Sequence, residues 1–315
     1  MTAKTHGKHS NTHCWRREDI PPQSGKLAIV TGANGGLGYE IAEALANAGA
    51  EVIIAARNPE RGHSAAQRIG RDAAGKVRFE ALDLADLASV QAFAERVVQQ
   101  GRPIDLLINN AGLMMPLERR NTADDFELQL GTNHLGHFAL TARLLPLLQR
   151  GATPRVVTVS SNAHRQGKIN FADLQSRQKY RPLAAYAQSK LANLLFAQEL
   201  QRRSTSGRWG IASIAAHPGM AKTDLMANGP GTGGFLGWMD KLLSPIAGHG
   251  APAGALPILY AAVSPHALPG AYYGPRDMFE MKGPVALAKI AAPALDVAVA
   301  ARLWTCSEAL TDTYY

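Results

Sequence analysis

"KLAIVTGANGGLGYEIAEALANAG", residues 26–49, passes from a short apolar run into a glycine-rich turn and on into a helical period. Lys26–Thr31 reads as a strand, and Leu37–Gly49 as a helix that Gly49 closes. The turn between them holds Gly32, Asn34, Gly36, Leu37 and Gly38. Glycine lets the backbone bend sharply there and brings amide N–H groups close to a ligand, while the helix that follows aims its positive end at the same point. Glycine pairs occur in many tight turns. A strand before and a helix after, within the first βαβ unit, make this one a phosphate-binding loop. Its spacing, Thr31-Gly32-x-x-x-Gly36-x-Gly38, is more particular than the general G-x-G-x-x-G.

The alternation continues outward. "EVIIAAR" (51–57), "KVRFEALD" (76–83), "IDLLIN" (104–109), "RVVTVSS" (155–161) and "GIASIAA" (210–216) read as strands. Amphipathic stretches separate them, among them a long helix from about Ala123 to Gln149 and another that carries Tyr186. Strands so uniformly apolar are buried on both faces, which means a parallel sheet covered by helices on each side. The expected fold is α/β: a single doubly wound domain over residues 25–315, with about seven parallel strands and helices on both faces. Residues 1–24 read as a basic, flexible tail. Two segments break the rhythm, 162–185 and the glycine-rich 226–250.

Of the net charge of +8, half comes from Lys4, Lys8, Arg16 and Arg17, which no acid accompanies in residues 1–17. The body is then only mildly basic, and no nucleic-acid role is expected. Cys14 and Cys306 stand near opposite ends and make no disulfide framework, so a cytoplasmic compartment is expected. No apolar run near the N-terminus suits a membrane anchor. Residues 242–275 lack Lys, Arg, Asp and Glu, but Pro245, Pro252, Pro257, Pro265 and Pro269 rule out a spanning helix. His6, His9, His13 and Cys14 have nothing to fix a coordination geometry, and no metal is expected.

A protein that reads the ribose hydroxyls of NAD places an acid at the end of the second strand. Arg57 stands there instead, and a guanidinium matches a 2′-phosphate, so NADP(H) is expected over NAD(H). Asp83, with Leu84, ends the third strand and is placed for the adenine; Asn110, Ala111 and Gly112 end the fourth. Tyr186 and Lys190, four apart, share one face of a helix. Ser160 and Ser161 end the fifth strand at the carboxyl edge of the sheet, with side chains on opposite faces.

This set resembles the short-chain dehydrogenase/reductase family, from about Gly25 to Ser307. The motifs are TGxxxGxG (31–38), NNAG (109–112), Asn133, Ser161, Tyr186-x-x-x-Lys190, and Pro218-Gly219 with Thr223. "AARN", "VSSNAHRQGKINFADLQ", "SKLANLLF", "HPG", "YYGP" and "RLWTCSEAL" are similar to the branch of retinol dehydrogenases and protochlorophyllide reductases, where the interval from serine to tyrosine is longer, as it is here. Light-driven chemistry is not expected, since neither Cys14 nor Cys306 lies near the cofactor and catalytic motifs between residues 31 and 223.

The resemblance implies a Rossmann domain and a catalytic set of Asn133, Ser161, Tyr186 and Lys190. The family's spacing favours Ser161 over Ser160. Tyr186 would exchange a proton with the substrate oxygen, its pKa lowered by the nearby ammonium. Lys190 would hold the nicotinamide ribose, Ser161 the substrate oxygen, and Asn133 a water joining Lys190 to solvent. Pro218, Gly219 and Thr223 would meet the cofactor. Residues 226–250 would then follow as a substrate flap, with Met114, Met115, Phe235, Leu236 and Trp238 as apolar lining. The expected activity is hydride transfer between NADP(H) and a carbonyl or alcohol of a lipophilic small molecule. The alternative is a non-catalytic, redox-sensing NADP-binding protein; such proteins tend to lose the tyrosine or lysine, and both stand here. The Tyr186 helix is apolar on several faces, so it lies deep or packs against a second copy, and a homo-oligomer is one expectation.

Overall fold

The computed structural model describes residues 14–220 and 250–315. The first half alternates strictly: β1 (Leu27–Thr31), α1 (Gly36–Asn47), β2 (Glu51–Ala56), α2 (Pro59–Gly70), β3 (Val77–Ala81), α3 (Leu87–Gln99) and β4 (Leu106–Asn109). A helical turn, Leu128–Leu130, and a π-helical turn, Gly131–Leu135, run into α4 (Gly136–Leu148). After β5 (Arg155–Val159) come α5 (Pro182–Gly207), β6 (Ala212–Ala216) and α6 (Ala251–Val263). β7 (Tyr272–Asp277), β8 (Lys282–Leu287) and α7 (Val297–Thr311) complete the described chain.

Among the described residues the sheet holds eight strands in the order β3-β2-β1-β4-β5-β6-β7-β8. The first seven are parallel, and β8 returns antiparallel to β7. Sequence order reverses between β1 and β4, and in open α/β sheets that reversal opens a crevice at the strands' carboxyl ends. One apolar layer joins the sheet to α1, α2 and α6 through Ile41, Leu45, Ile69 and Ile258. A second joins it to α3, α4 and α5 through Phe93, Phe138, Leu144 and Leu200. β1 and β2 are buried almost throughout, as their unbroken apolar runs require.

Four expectations change in detail. The eighth strand joins a sheet read as seven. The helix expected from Ala123 begins at Leu128, because the Glu127 carboxylate caps it by accepting Gln129 N (3.0 Å) and Leu130 N (2.7 Å). The tail expected through residue 24 is packed from Trp15 onward: Trp15 meets Tyr260 edge-on at 5.4 Å, and Arg17 binds Glu43 at 2.8 Å. The apolar girdle of α5 is covered by this same chain, since Leu191, Leu194 and Leu195 pack with Tyr272, Ala300 and Leu303. The helix lies deep, and its apolarity says nothing about subunit number. Among the described residues no helix is long and apolar enough to cross a membrane.

Trp304 of α7 anchors that cover. It is 2% exposed, stacks on Phe196 of α5 (5.8 Å, 21° between planes) and meets Phe138 of α4 edge-on at 5.1 Å. Trp304→Ala should cost about 3–5 kcal/mol in urea unfolding. A loss under 1 kcal/mol would show that α7 does not hold α5 in place.

Candidate active site

A cleft of about 1040 Å³ opens at the carboxyl ends of the strands, where the strand order reverses. Gly32 and Gly36 turn with φ of 67° and 52°, a region side-chain-bearing residues avoid. A Cβ on Gly32 would sit 2.9 Å from Ala111 Cα, and one on Gly38 2.5 Å from Gly32 O, so the loop and the end of β4 close against each other. α2 and α3 are capped by Asn58 and Asp86, whereas α1 begins at Gly35 with no side-chain cap. Its first amides face the cleft, which suits an anion.

One hydroxyl fixes the floor. Thr31 Oγ1 accepts Asn110 N and Ala111 N, both at 2.9 Å, and lies 2.9 Å from His137 Nε2. His137 Nδ1 lies 3.0 Å from the Asn133 carbonyl, an acceptor only, so the ring proton sits on Nδ1 and Nε2 accepts from Thr31. Burial holds that imidazole neutral, its pKa lowered to about 4. Asn110 Nδ2 also donates to Thr31 O at 2.8 Å.

At one end of the cleft stand Arg57, Arg61, Asp83 and Asp86. Arg57 Nε is 4.0 Å from Asp83 Oδ2 in a loose, exposed pair. At the other end Ser161, Tyr186 and Lys190 share the wall with Gly112, Met114, Pro218 and Gly219. Asn34, Leu37, Asn110 and Ala111 line it between. Leu84 does not: its side chain is buried in the layer between the sheet and α3. Asn133 is fully buried beside the cleft, where its amide accepts Leu113 N (2.9 Å) and donates to Leu113 O (3.0 Å) and Ser189 Oγ (2.9 Å). Thr223 lies outside the described residues, as do Phe235, Leu236, Trp238 and nearly all of the 226–250 segment.

The two serines part as strand alternation requires. Ser160 is buried and donates to the Lys190 carbonyl at 2.7 Å. Ser161 meets the Tyr186 phenol, whose pKa is raised by burial and drawn partway back by that contact. The expected lowering by Lys190 is therefore not found in the protein alone, where burial wins. Lys190 Nζ lies 5.9 Å from the Tyr186 ring centre and donates to Val159 O at 3.2 Å. A Cβ on Gly112 would lie 3.1 Å from Asn133 Oδ1 and in ordinary contact, 3.4 Å, with that Nζ. Burial away from any carboxylate lowers the Lys190 pKa to about 8.

Several residues of this region escape a reading of the sequence. Arg61 lies four residues beyond Arg57, in the first turn of α2. Glu280 is another. Its carboxylate takes Arg165 Nη2 at 2.6 Å and Lys289 N at 2.9 Å, and faces His217 Nε2 at 3.3 Å without the alignment of a hydrogen bond. Gly219 N donates to the other ring nitrogen of His217 at 3.2 Å. Burial favours a neutral Glu280, yet the nearby His217 ring, the Lys289 amide and the Arg165 charge hold its pKa below the ordinary value.

A family profile described as short chain dehydrogenase matches residues 26–230. The chain belongs to the short-chain dehydrogenase/reductase family, an oxidoreductase fold that works with a nicotinamide cofactor. Within it the chain falls in the retinol-dehydrogenase-like branch. It is 45% identical to retinol dehydrogenase 12 of Mus musculus over 217 residues, 68% of this chain and 66% of that protein. It thus spans just under two thirds of that relative's length. Polyprenol dehydrogenase of Mus musculus is 41% identical over 251 residues, 78% of this chain and 74% of that one. The crystal structure of an uncharacterized protein from Mycobacterium paratuberculosis superposes with a TM-score of 0.80 at 42% identity, covering 96% of this chain and 99% of that one.

The buried Lys190 has a measurable signature. Below pH 8 its folded and unfolded forms both keep the proton, so the cost of the buried charge is fully present. Between about 8 and 10.5 the folded form releases it while the unfolded form does not, and the cost fades. Lys190→Met should therefore be more stable than wild type at pH 7, by about 2–3 kcal/mol, with the gap shrinking toward pH 10. A gap constant with pH in urea titrations would contradict the buried ammonium.

Proposed function

We propose that the protein is an NADP(H)-dependent oxidoreductase that interconverts an alcohol and the corresponding aldehyde or ketone of a lipophilic molecule. The observation that carries this is one cleft with Ser161, Tyr186 and Lys190 at one end and Arg57 with Arg61 beyond the glycine loop at the other. The names of the relatives, a retinol and a polyprenol dehydrogenase, support an apolar alcohol as substrate class.

Positive φ at Gly32 and Gly36 and the uncapped start of α1 suit a pyrophosphate. Gly32, Asn34, Gly36, Leu37 and Gly38 would hold it, with Asp83 toward the adenine and Arg57 and Arg61 on a 2′-phosphate. Asn110, Ala111, Gly112, Pro218 and Gly219 would flank the nicotinamide half. The bound dinucleotide supplies or takes the hydride. Tyr186 gives its phenolic proton to the carbonyl oxygen as the carbon is reduced, and takes the hydroxyl proton in the reverse direction. Ser161 donates a hydrogen bond to the same oxygen as its charge develops. Lys190, one helical turn along, favours the phenolate that remains once the proton has left. Asn133 is a positioning residue, holding the Leu113 backbone beneath the site through two hydrogen bonds.

Tyr186→Phe should lower kcat at least a thousandfold while the NADPH Kd, read by fluorescence titration, changes less than about threefold. Unchanged turnover would show that Tyr186 is not the proton donor, whereas a wild type that binds NADPH but turns nothing over would favour a non-catalytic, redox-sensing protein. Arg57→Ala should weaken NADPH about tenfold and leave NADH unaffected. Equal losses for the two cofactors would remove the case for a 2′-phosphate site.

A further inference from the structure

The turn joining β7 to β8 holds Met278, Phe279 and Glu280 at φ of 49°, 57° and 64°. Three consecutive side-chain-bearing residues in the left-handed region are something an L-chain resists. Such outliers persist only where their surroundings over-determine them, and they gather at ligand-facing sites. Here the restraint is Glu280. Its side chain joins Arg165, His217 and the Lys289 amide, and its carbonyl accepts Asn162 Nδ2 at 3.1 Å. Beside it, Met220 N donates to Met281 O at 2.9 Å, which ties the turn to the chain after Gly219.

What this restrained turn presents is Phe279, 88% exposed on the wall of the cleft that also holds Ser161 and Tyr186. A phenyl ring left in water gains nothing from that placement; it gains when an apolar surface covers it. Met114, Pro116, Leu128 and Met281 give the same cleft further apolar wall. We propose that Phe279 is a specificity-determining residue that receives the apolar tail of the substrate, and that Glu280 is the positioning residue that holds it there. This rests on the oxidoreductase reading above. The ligand it selects is a long hydrocarbon chain on a carbinol or carbonyl carbon, lying against Phe279 while its oxygen meets Tyr186.

The test compares wild type, Phe279→Ala and Phe279→Tyr on straight-chain aldehydes of four to twelve carbons at saturating NADPH. In Phe279→Ala the ratio of kcat/KM for dodecanal to that for butanal should fall roughly tenfold, chiefly through KM, the scale of a lost apolar contact in a substrate pocket. Phe279→Tyr should restore the wild-type ratio. Glu280→Ala should lower the ratio as Phe279→Ala does, and the double variant should lower it no further. Calorimetric titration of dodecanol into the NADPH-loaded protein, where no hydride acceptor is present, reads the same contact without turnover, and its Kd should rise roughly tenfold in Phe279→Ala. A wild type that reduces none of the aldehydes would count against the oxidoreductase reading, while the dodecanol titration would still decide Phe279. An unchanged ratio or an unchanged dodecanol Kd in Phe279→Ala overturns the proposal. So does a matching loss of NADPH affinity, which would put the ring on the cofactor.

Discussion

Everything at the cleft hangs on a single hydroxyl at the end of β1. The sheet reverses its strand order between β1 and β4, so the chain segments leaving those strands diverge, and something must hold the floor between them. Thr31 does so from both sides: two backbone amides arrive at its oxygen, and its proton is shared between His137 Nε2 at 2.9 Å and the Ile108 carbonyl at 3.3 Å. The arrangement works only with a neutral imidazole of one tautomer, and burial within α4 supplies that condition. The same ring reaches the Asn133 carbonyl in the π-helical turn, where the widened backbone departs from regular α geometry. Glycine loop, NNAG turn and the start of α4 are thus registered against each other by direct hydrogen bonds.

The electrostatics of the reacting end follow from the same burial. Desolvation pushes the Tyr186 phenol up and the Lys190 ammonium down, so both groups are held toward neutrality. The two shifts move the groups apart, so in the protein alone the proton stays on the Tyr186 phenol. The rigid frame carries a standing cost in stability, and the aromatic packing of α7 over α5 offsets it at a distance.

Much of this was legible in the sequence, for physical reasons that differ by element. Strands buried on both faces leave unbroken apolar runs, and a backbone that must approach a ligand leaves glycines, so β1, the loop and the parallel order could be read directly. β8 could not: its Gly283 and Pro284 speak against a strand, and its hairpin turn is made by Met278, Phe279 and Glu280 rather than by glycine or asparagine. The choice of Ser161 came from family spacing, and the structure places it at the phenol while Ser160 turns to the Lys190 carbonyl. His137 and Glu280 act through partners far away in the chain, and their pairing has no local period to betray it. The tyrosine's pKa was misjudged for a related reason, since the degree of burial is a tertiary quantity. Leu84, named with Asp83, has its side chain in the apolar layer with α3, whereas Asp83 lines the cleft.

The covering of α5 by α7 also sets a timetable. The helix that carries Tyr186 ends at Gly207, and the helix that shields its outer apolar side starts only at Val297. At ribosomal speeds of roughly 5–20 residues per second, the gap lasts on the order of 5–20 s. For that interval Leu191, Leu194, Leu195 and Phe196 are synthesised but not yet enclosed, and the nascent chain is at its most adhesive. The helix that carries Tyr186 is therefore also a segment on which a chaperone has time to act.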